Sequence, residues 1–253
     1  MSKTHEEHST KGFVEDQRDF FDRLITQDWH TYKDTQWDRT RQLEVDALLR
    51  RLPEAKRILN VGCGCGYQDL LFACVQRIQH IVGIDYSEKS ILTAEREYSH
   101  EKIQRKVVDI LSQDQRRSFL GEIGGTFDLV VSFQVIEHLM DPEDFLDACI
   151  QCAREDGAIA MVTPNALRLQ NRYNMLFNKP LELIDPLHYR EYSLVDLKTL
   201  GRKKGLNLAG YFGHSAHLNL GGHSIIRSGT KAARALSSAF PGLSDVIGVI
   251  FRR

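Results

Sequence analysis

The chain of 253 residues holds 42% hydrophobic and 26% charged side chains and carries a formal net charge of -1, which suits one large folded domain or a domain with a cap and excludes global disorder. Near-neutral charge supplies no general attraction to nucleic acid or anionic lipid, and no apolar run approaches the roughly 20 residues of a membrane span. The polar start from Met1 to Thr10 lacks a signal-peptide core and the five cysteines form no spaced framework, so the expected location is cytoplasmic.

Phe13–Leu24 and Arg39–Leu52 read as helices, the second ended by Pro53. Trp29, Tyr32 and Trp37 lie in the link between them, either fastening this segment to the main domain or covering a ligand. From Lys56 the chain alternates between strand and helix. Arg57–Val61 is a short apolar strand, and Tyr67–Gln76 a helix with Tyr67, Leu70, Leu71, Cys74 and Val75 on its apolar face. His80–Asp85 is a strand, Ser87 caps a helix to about Tyr98, and Ile103–Val108 and Phe127–Ser132 are further strands. Asp141-Pro-Glu opens a helix that buries Phe145, Ala148, Cys149 and Cys152. Ala158–Val162 is a strand, Ser193 and Asp196 form a capping box, Leu206–Phe212 is a strand, and Asp245–Phe251 is the last strand. Repeated β-α-β units of this size predict an α/β fold with a doubly wound, mainly parallel sheet.

The most informative stretch is Ile58-Leu-Asn-Val-Gly-Cys-Gly-Cys-Gly-Tyr67, which ends a strand and opens a helix. Gly62, Gly64 and Gly66 let the backbone turn sharply and let a ligand approach without a Cβ in the way. Asp85 ends the next strand and Asp109 the one after, so their carboxylates border the same crevice in the order that a ribose and an adenine require. The alternative, that both acids only cap the helices that follow, explains neither their order nor the glycine loop. A nicotinamide-dinucleotide site is the runner-up, but that motif has glycine at its sixth position, where this chain has Tyr67.

Leu59-Asn-Val-Gly-Cys-Gly-Cys-Gly, Val82-Gly-Ile-Asp-Tyr-Ser, Val107-Val-Asp-Ile and Phe127-Asp-Leu-Val-Val-Ser-Phe-Gln-Val-Ile-Glu-His-Leu together resemble the four motifs of class I S-adenosylmethionine-dependent methyltransferases. They come closest in style to the quinone-biosynthesis and related small-molecule enzymes, and the likeness runs from about Lys56 to Leu208. The resemblance implies a seven-stranded Rossmann-like sheet whose last strand inserts antiparallel. It implies that Asn60 and the Gly62–Gly66 loop hold the aminoacyl end of the cofactor, Asp85 and Tyr86 the ribose, and Asp109 and Ile110 the adenine, with Phe133 and Gln134 near the sulfonium. The family often carries Asp or Glu where this chain has Asn60, which supplies no charge.

Gln134, Glu137 and His138 would share one face of a helical turn, and His188 follows later. Related RNA 2′-O-methyltransferases use Glu-x-x-Glu-His with a later histidine to hold a divalent metal. Here the first ligand is Gln134, a poor donor to a hard cation, so a divalent metal is possible but not favoured. Glu137 and His138 then orient the loop over the cofactor, or His138 or, in preference, His188 acts as general base.

The domain division expected is an N-terminal helical segment over 1–53 and a methyltransferase domain over 54–253, with cap insertions at about 164–190 and 213–242. The first cap mixes Arg172, Tyr173, Asn174, Met175 and Phe177, suited to a partly polar, partly apolar acceptor. The second carries His214, His217 and His223 without a nearby carboxylate in sequence, which reads as a flexible substrate loop rather than a metal site. Cys63, Cys65, Cys149 and Cys152 read as small buried residues. The expected reaction is methyl transfer to an oxygen, or less readily a nitrogen, of a small metabolite or sugar, releasing S-adenosylhomocysteine. The alternatives are an RNA 2′-O-methyltransferase and a non-catalytic S-adenosylmethionine-binding protein; no nucleic acid partner is expected, and the oligomeric state is not legible.

Overall fold

The structure is a computed structural model that describes residues 35–185 and 187–253. The predicted Phe13–Leu24 helix and the side chains of Trp29, Tyr32 and Trp37 lie outside the described residues.

Helix α1 (Thr35–Arg51) leads into β1 (Arg57–Val61). Then follow α2 (Tyr67–Ala73), β2 (His80–Asp85), α3 (Glu88–Glu97), β3 (Ile103–Val107), α4 (Gln113–Ile123) and β4 (Phe127–Phe133). A single 3-10 turn at Ile136–His138 precedes α5 (Pro142–Cys152) and β5 (Ala153–Pro164). The remaining elements are α6 (Leu169–Leu176), α7 (Leu194–Lys203), β6 (Asn207–His214), the hairpin β7 (Leu218–Leu220) and β8 (His223–Ile226), α8 (Lys231–Ala239) and β9 (Val246–Arg252).

The main sheet has seven strands in the order β3-β2-β1-β4-β5-β9-β6. All neighbours pair in parallel except β9, which lies antiparallel between β5 and β6, as the resemblance implies. The order reverses between β1 and β4, and a doubly wound sheet opens its ligand crevice at the carboxyl ends beside such a switch. Helices cover both faces. Val45 and Leu48 of α1 and Phe72 of α2 pack on Leu129, Val131 and Phe133, while Phe119, Phe145 and Leu197 pack on the opposite face around Val130 and Met161.

Local signals behave as expected at three helix starts. Ser87 Oγ accepts from Ser90 N, Asp141 Oδ1 from Glu143 N and Asp144 N, and Ser193 with Asp196 closes a reciprocal capping box. Three expectations are corrected. Helix α2 buries Gln68, Asp69, Phe72 and Ala73, while Cys74 is exposed and Leu71 and Val75 are only partly buried. A polar contact beneath the glycine loop, described below, sets the face of α2, and it overrides the apolar period. Strand β5 begins five residues early, at Ala153, because its polar, exposed stretch Arg154–Asp156 conceals the strand from a hydropathy reading. Helix α4 is absent from the sequence reading; it is polar, with Arg116 and Phe119 its buried residues.

Candidate functional site

Gly62, Gly64 and Gly66 take left-handed φ values of 70°, 52° and 78°, which an L side chain rarely adopts. A Cβ on Gly62 would also sit 2.5 Å from Val135 Cγ2, so the missing side chain lets the segment after β4 close onto the loop. Beneath the loop, Asn60 Nδ2 donates to Asp69 Oδ1 at 2.7 Å, and Arg105 Nε reaches Asp69 Oδ2 at 3.2 Å. All three side chains are buried. Among the described residues, Asn60 Oδ1 has no hydrogen-bond partner.

Asp85 links the loop to the next element. Its Oδ2 accepts from Gly64 N and its Oδ1 from Ser87 N, both at 2.9 Å. Tyr86 is half-buried. Asp109 Oδ1 accepts from Leu111 N, and the side chain of Ile110 is buried. The glycine loop, Asp85, Tyr86, Asp109 and Ile110 therefore occupy adjacent carboxyl ends of β1, β2 and β3, in the predicted order.

Phe133 is buried at the end of β4, and Gln134 takes a left-handed φ of 55° while donating its N–H to Val162 O at 2.8 Å. Strain of this kind in a non-glycine residue persists only where surrounding contacts hold it. Gln134 precedes the 3-10 turn and is not part of it, so the single helical face shared with Glu137 and His138 does not form.

Glu137 is fully buried; Oε2 accepts from Thr163 Oγ1 at 2.9 Å, and Oε1 has no partner among the described residues. Burial pushes its carboxyl up to about 7. The His138 ring lies edge-on to that of His188, with centroids 5.0 Å apart, and burial together with the charge of His188 lowers His138 to about 4. His188 Nδ1 lies 3.1 Å from Glu191 Oε1. Burial alone would raise Glu191, but the hydrogen bonds from His188 and Ile184 N and the charge of Arg168 hold it below the usual carboxylate range. A carboxylate only accepts, so Nδ1 of His188 carries a proton, and whenever the ring is neutral its lone pair lies on Nε2. Donor atoms of Glu137, His138 and His188 all lie within 4.8 Å of one another, a cluster formed from the turn after β4 and the cap after β5.

The three cap histidines do not converge. His214 Nε2 bonds buried Glu44 of α1 at 3.0 Å, His217 Nδ1 bonds Asp245 at 2.7 Å, and His223 is exposed on β8. Each of the first two has its own carboxylate, brought from far along the chain, and His214 ends a strand of the main sheet, which corrects the picture of a loop free of acids. Cys63, Cys149 and Cys152 are buried free thiols, raised by burial and, for Cys152, to about 12.

A family model described as a methyltransferase domain matches residues 35–209. The chain belongs to that family. A Mycobacterium tuberculosis (strain ATCC 25618 / H37Rv) protein named as a probable S-adenosylmethionine-dependent methyltransferase is 30% identical over 165 residues, covering 65% of this chain and 53% of that one. The ubiquinone biosynthesis O-methyltransferase of Rhizobium rhizogenes is 37% identical over 113 residues, 44% of this chain and 42% of its own. The chain thus spans about half the length of the curated relatives it matches first. Among solved structures, the magnesium protoporphyrin IX methyltransferase of Synechocystis PCC 6803 with bound S-adenosylhomocysteine superposes with a TM-score of 0.59 at 14% identity, over 93% of this chain and 98% of that one, which shows a shared fold.

The methyltransferase family's cofactor is S-adenosylmethionine, and the residues present fit it. Of the three left-handed glycines, Gly64 has nothing within 4 Å of its Cβ position and leaves the loop open there, and Asn60 Oδ1, without a partner among the described residues, offers a buried acceptor below it. Asp69, Arg105, Thr163, Arg168 and Glu191 of this methyltransferase domain were missed by the sequence reading. Each is a polar residue whose partner is distant in sequence or lies across the fold; the nearest available signal was Asp69, an acid in the first turn after the glycine loop.

Proposed function

We propose that the chain transfers a methyl group from S-adenosylmethionine to an oxygen, or less readily a nitrogen, of a small metabolite. In this reading Asn60 and the Gly62–Gly66 loop hold the aminoacyl end, Asp85 and Tyr86 the ribose, Asp109 and Ile110 the adenine, and Phe133 and Gln134 close over the sulfonium. S-adenosylmethionine, when bound, supplies a methyl carbon already activated by sulfonium charge. The chain's task is alignment and removal of the acceptor's proton.

The observation that carries the reading is the Glu137–His138–His188 cluster, which starts two residues from Val135, the side chain packed on Gly62. His188 Nε2 would take the proton of an acceptor hydroxyl as that oxygen received the methyl group that S-adenosylmethionine, when bound, supplies. Ionised Glu191 stabilises the imidazolium through Nδ1. His138, neutral near pH 7, and Glu137 stand beside His188. The cap residues Met175, Phe177, Leu181, Leu183, Ile184 and Tyr189 expose apolar surface, which supports an acceptor with an apolar part. The division into a helical segment over 1–53 and a domain over 54–253, capped at 164–190 and 213–242, belongs to the same proposal; α6 falls in the first cap and the β7–β8 hairpin with α8 in the second.

The test is transfer of labelled methyl from S-adenosylmethionine to a panel of phenols, catechols and sugar hydroxyls. His188→Ala is expected to lower kcat by about 100-fold or more with unchanged affinity for S-adenosylhomocysteine, the scale of a lost general base. Full activity in that variant contradicts the role of His188. A second reading, in which the three donors within 4.8 Å hold a divalent cation, is favoured by that spacing. Loss of turnover in EDTA, restored by a divalent metal, assigns it.

A further inference from the structure

The polar chain beneath the glycine loop runs from β1 through α2 to β3: Asn60, Asp69, Arg105. It is built at some cost in backbone space. A Cβ on Gly83 of β2 would lie 2.5 Å from Asp69 Oδ2, so only glycine there makes room for the carboxylate. Arg105 is fixed by more than this one partner, since its Nη2 donates to Tyr98 O at 2.9 Å and to Gly66 O at 3.4 Å. Burial pushes the Asp69 carboxyl up to about 6, against the pull of Asn60 and Arg105, so the group is ionised at pH 8.

An ionised carboxylate only accepts hydrogen bonds. Asn60 must therefore turn its NH2 toward Asp69, and its carbonyl oxygen is the end left without a partner among the described residues. The amide has one orientation, and the neighbour that sets it carries the charge that Asn60 lacks. We propose that Asp69 is a positioning residue for the cofactor, holding Asn60 with its amide oxygen available to the ammonium group of the aminoacyl end, so that the site favours adenosine ligands carrying that group over those without it. The proposal rests on the S-adenosylmethionine reading of the loop.

Asp69→Asn inverts the arrangement. The single side-chain oxygen of the new amide goes to Arg105, whose guanidinium can only donate. Its NH2 then faces residue 60, and Asn60 rotates to accept, presenting a donor where the ammonium binds. Titration calorimetry at pH 8 compares S-adenosylhomocysteine with 5′-methylthioadenosine, which keeps the thioether-linked adenosine and lacks the aminoacyl end. The expected result is a loss of about tenfold or more in affinity for S-adenosylhomocysteine and a change of less than about twofold for methylthioadenosine. Should Asp69→Asn fail to fold around its unpaired guanidinium, Asp69→Asn with Arg105→Met leaves no buried charge and no preferred amide orientation, and a smaller but still selective loss is expected. Equal losses for both ligands, or no loss for either, overturn the proposal. Failure of both ligands to bind the wild-type chain instead removes the cofactor reading beneath it.

Discussion

Arg168 and Glu191 are both about 2% exposed at the side chain, and they form an ion pair within hydrogen-bond distance beside His188. Removing one partner of a buried pair leaves an uncompensated charge, typically costing about 3–5 kcal/mol. Arg168→Met is therefore expected to lower the unfolding free energy by about that amount in urea denaturation; a change below about 1 kcal/mol contradicts the pairing. Gly62→Ala confronts both a left-handed φ and the Val135 methyl, and should weaken S-adenosylhomocysteine binding by at least tenfold in a thermal-shift titration. At this scale the sequence was readable where chemistry is local: the glycines, Asp85, Glu137, His138 and His188 could be nominated from motif and order. Asp69, Arg105 and Glu191 could not, because nothing in a linear pattern says that Arg105 of β3 reaches under β2, or that Glu191 turns back upon Arg168.

Among the elements, caps were legible because their donors and acceptors lie within four residues of each other. Ser193→Ala removes one half of the box that opens α7 and should cost about 1 kcal/mol by chemical denaturation, with no change in cofactor affinity. Asp128 joins the starts of three strands: it accepts from Lys56 N, Arg57 N and Arg154 Nη1. Burial works against its charge, but those hydrogen bonds and the Arg154 charge hold the carboxyl below its usual range. A depressed carboxyl contributes stability above its unfolded value near 3.9 that is lost as pH falls through the folded value. Asp128→Asn should thus destabilise at pH 7, and its stability should converge with that of the wild type as pH drops below about 4; a constant difference down to pH 2 contradicts the assignment. What escaped the pattern at this scale was decided by tertiary contact. The face of α2 is set by buried Asp69, and the polar helix α4 carries too weak a hydrophobic period to be seen.

Across the whole molecule, the alternation of strands and helices sufficed to predict the doubly wound sheet, while the antiparallel entry of β9 came only through the family resemblance. Tertiary structure adds what joins the two halves of the site. Val135 closes on Gly62, and the cap after β5 carries His188 back to the turn after β4, so the glycine loop and the Glu137–His138–His188 cluster are brought to one side of the sheet switch. The acceptor is the least legible component, since the cap proposed to meet it is irregular between α6 and α7 and its apolar side chains obey no period. Isothermal titration of the wild-type chain and Asp85→Ala with S-adenosylmethionine, S-adenosylhomocysteine and NAD tests the cofactor assignment on which this arrangement rests. Binding of the first two and not of NAD, abolished in the variant, is the predicted result; binding of NAD alone would contradict it.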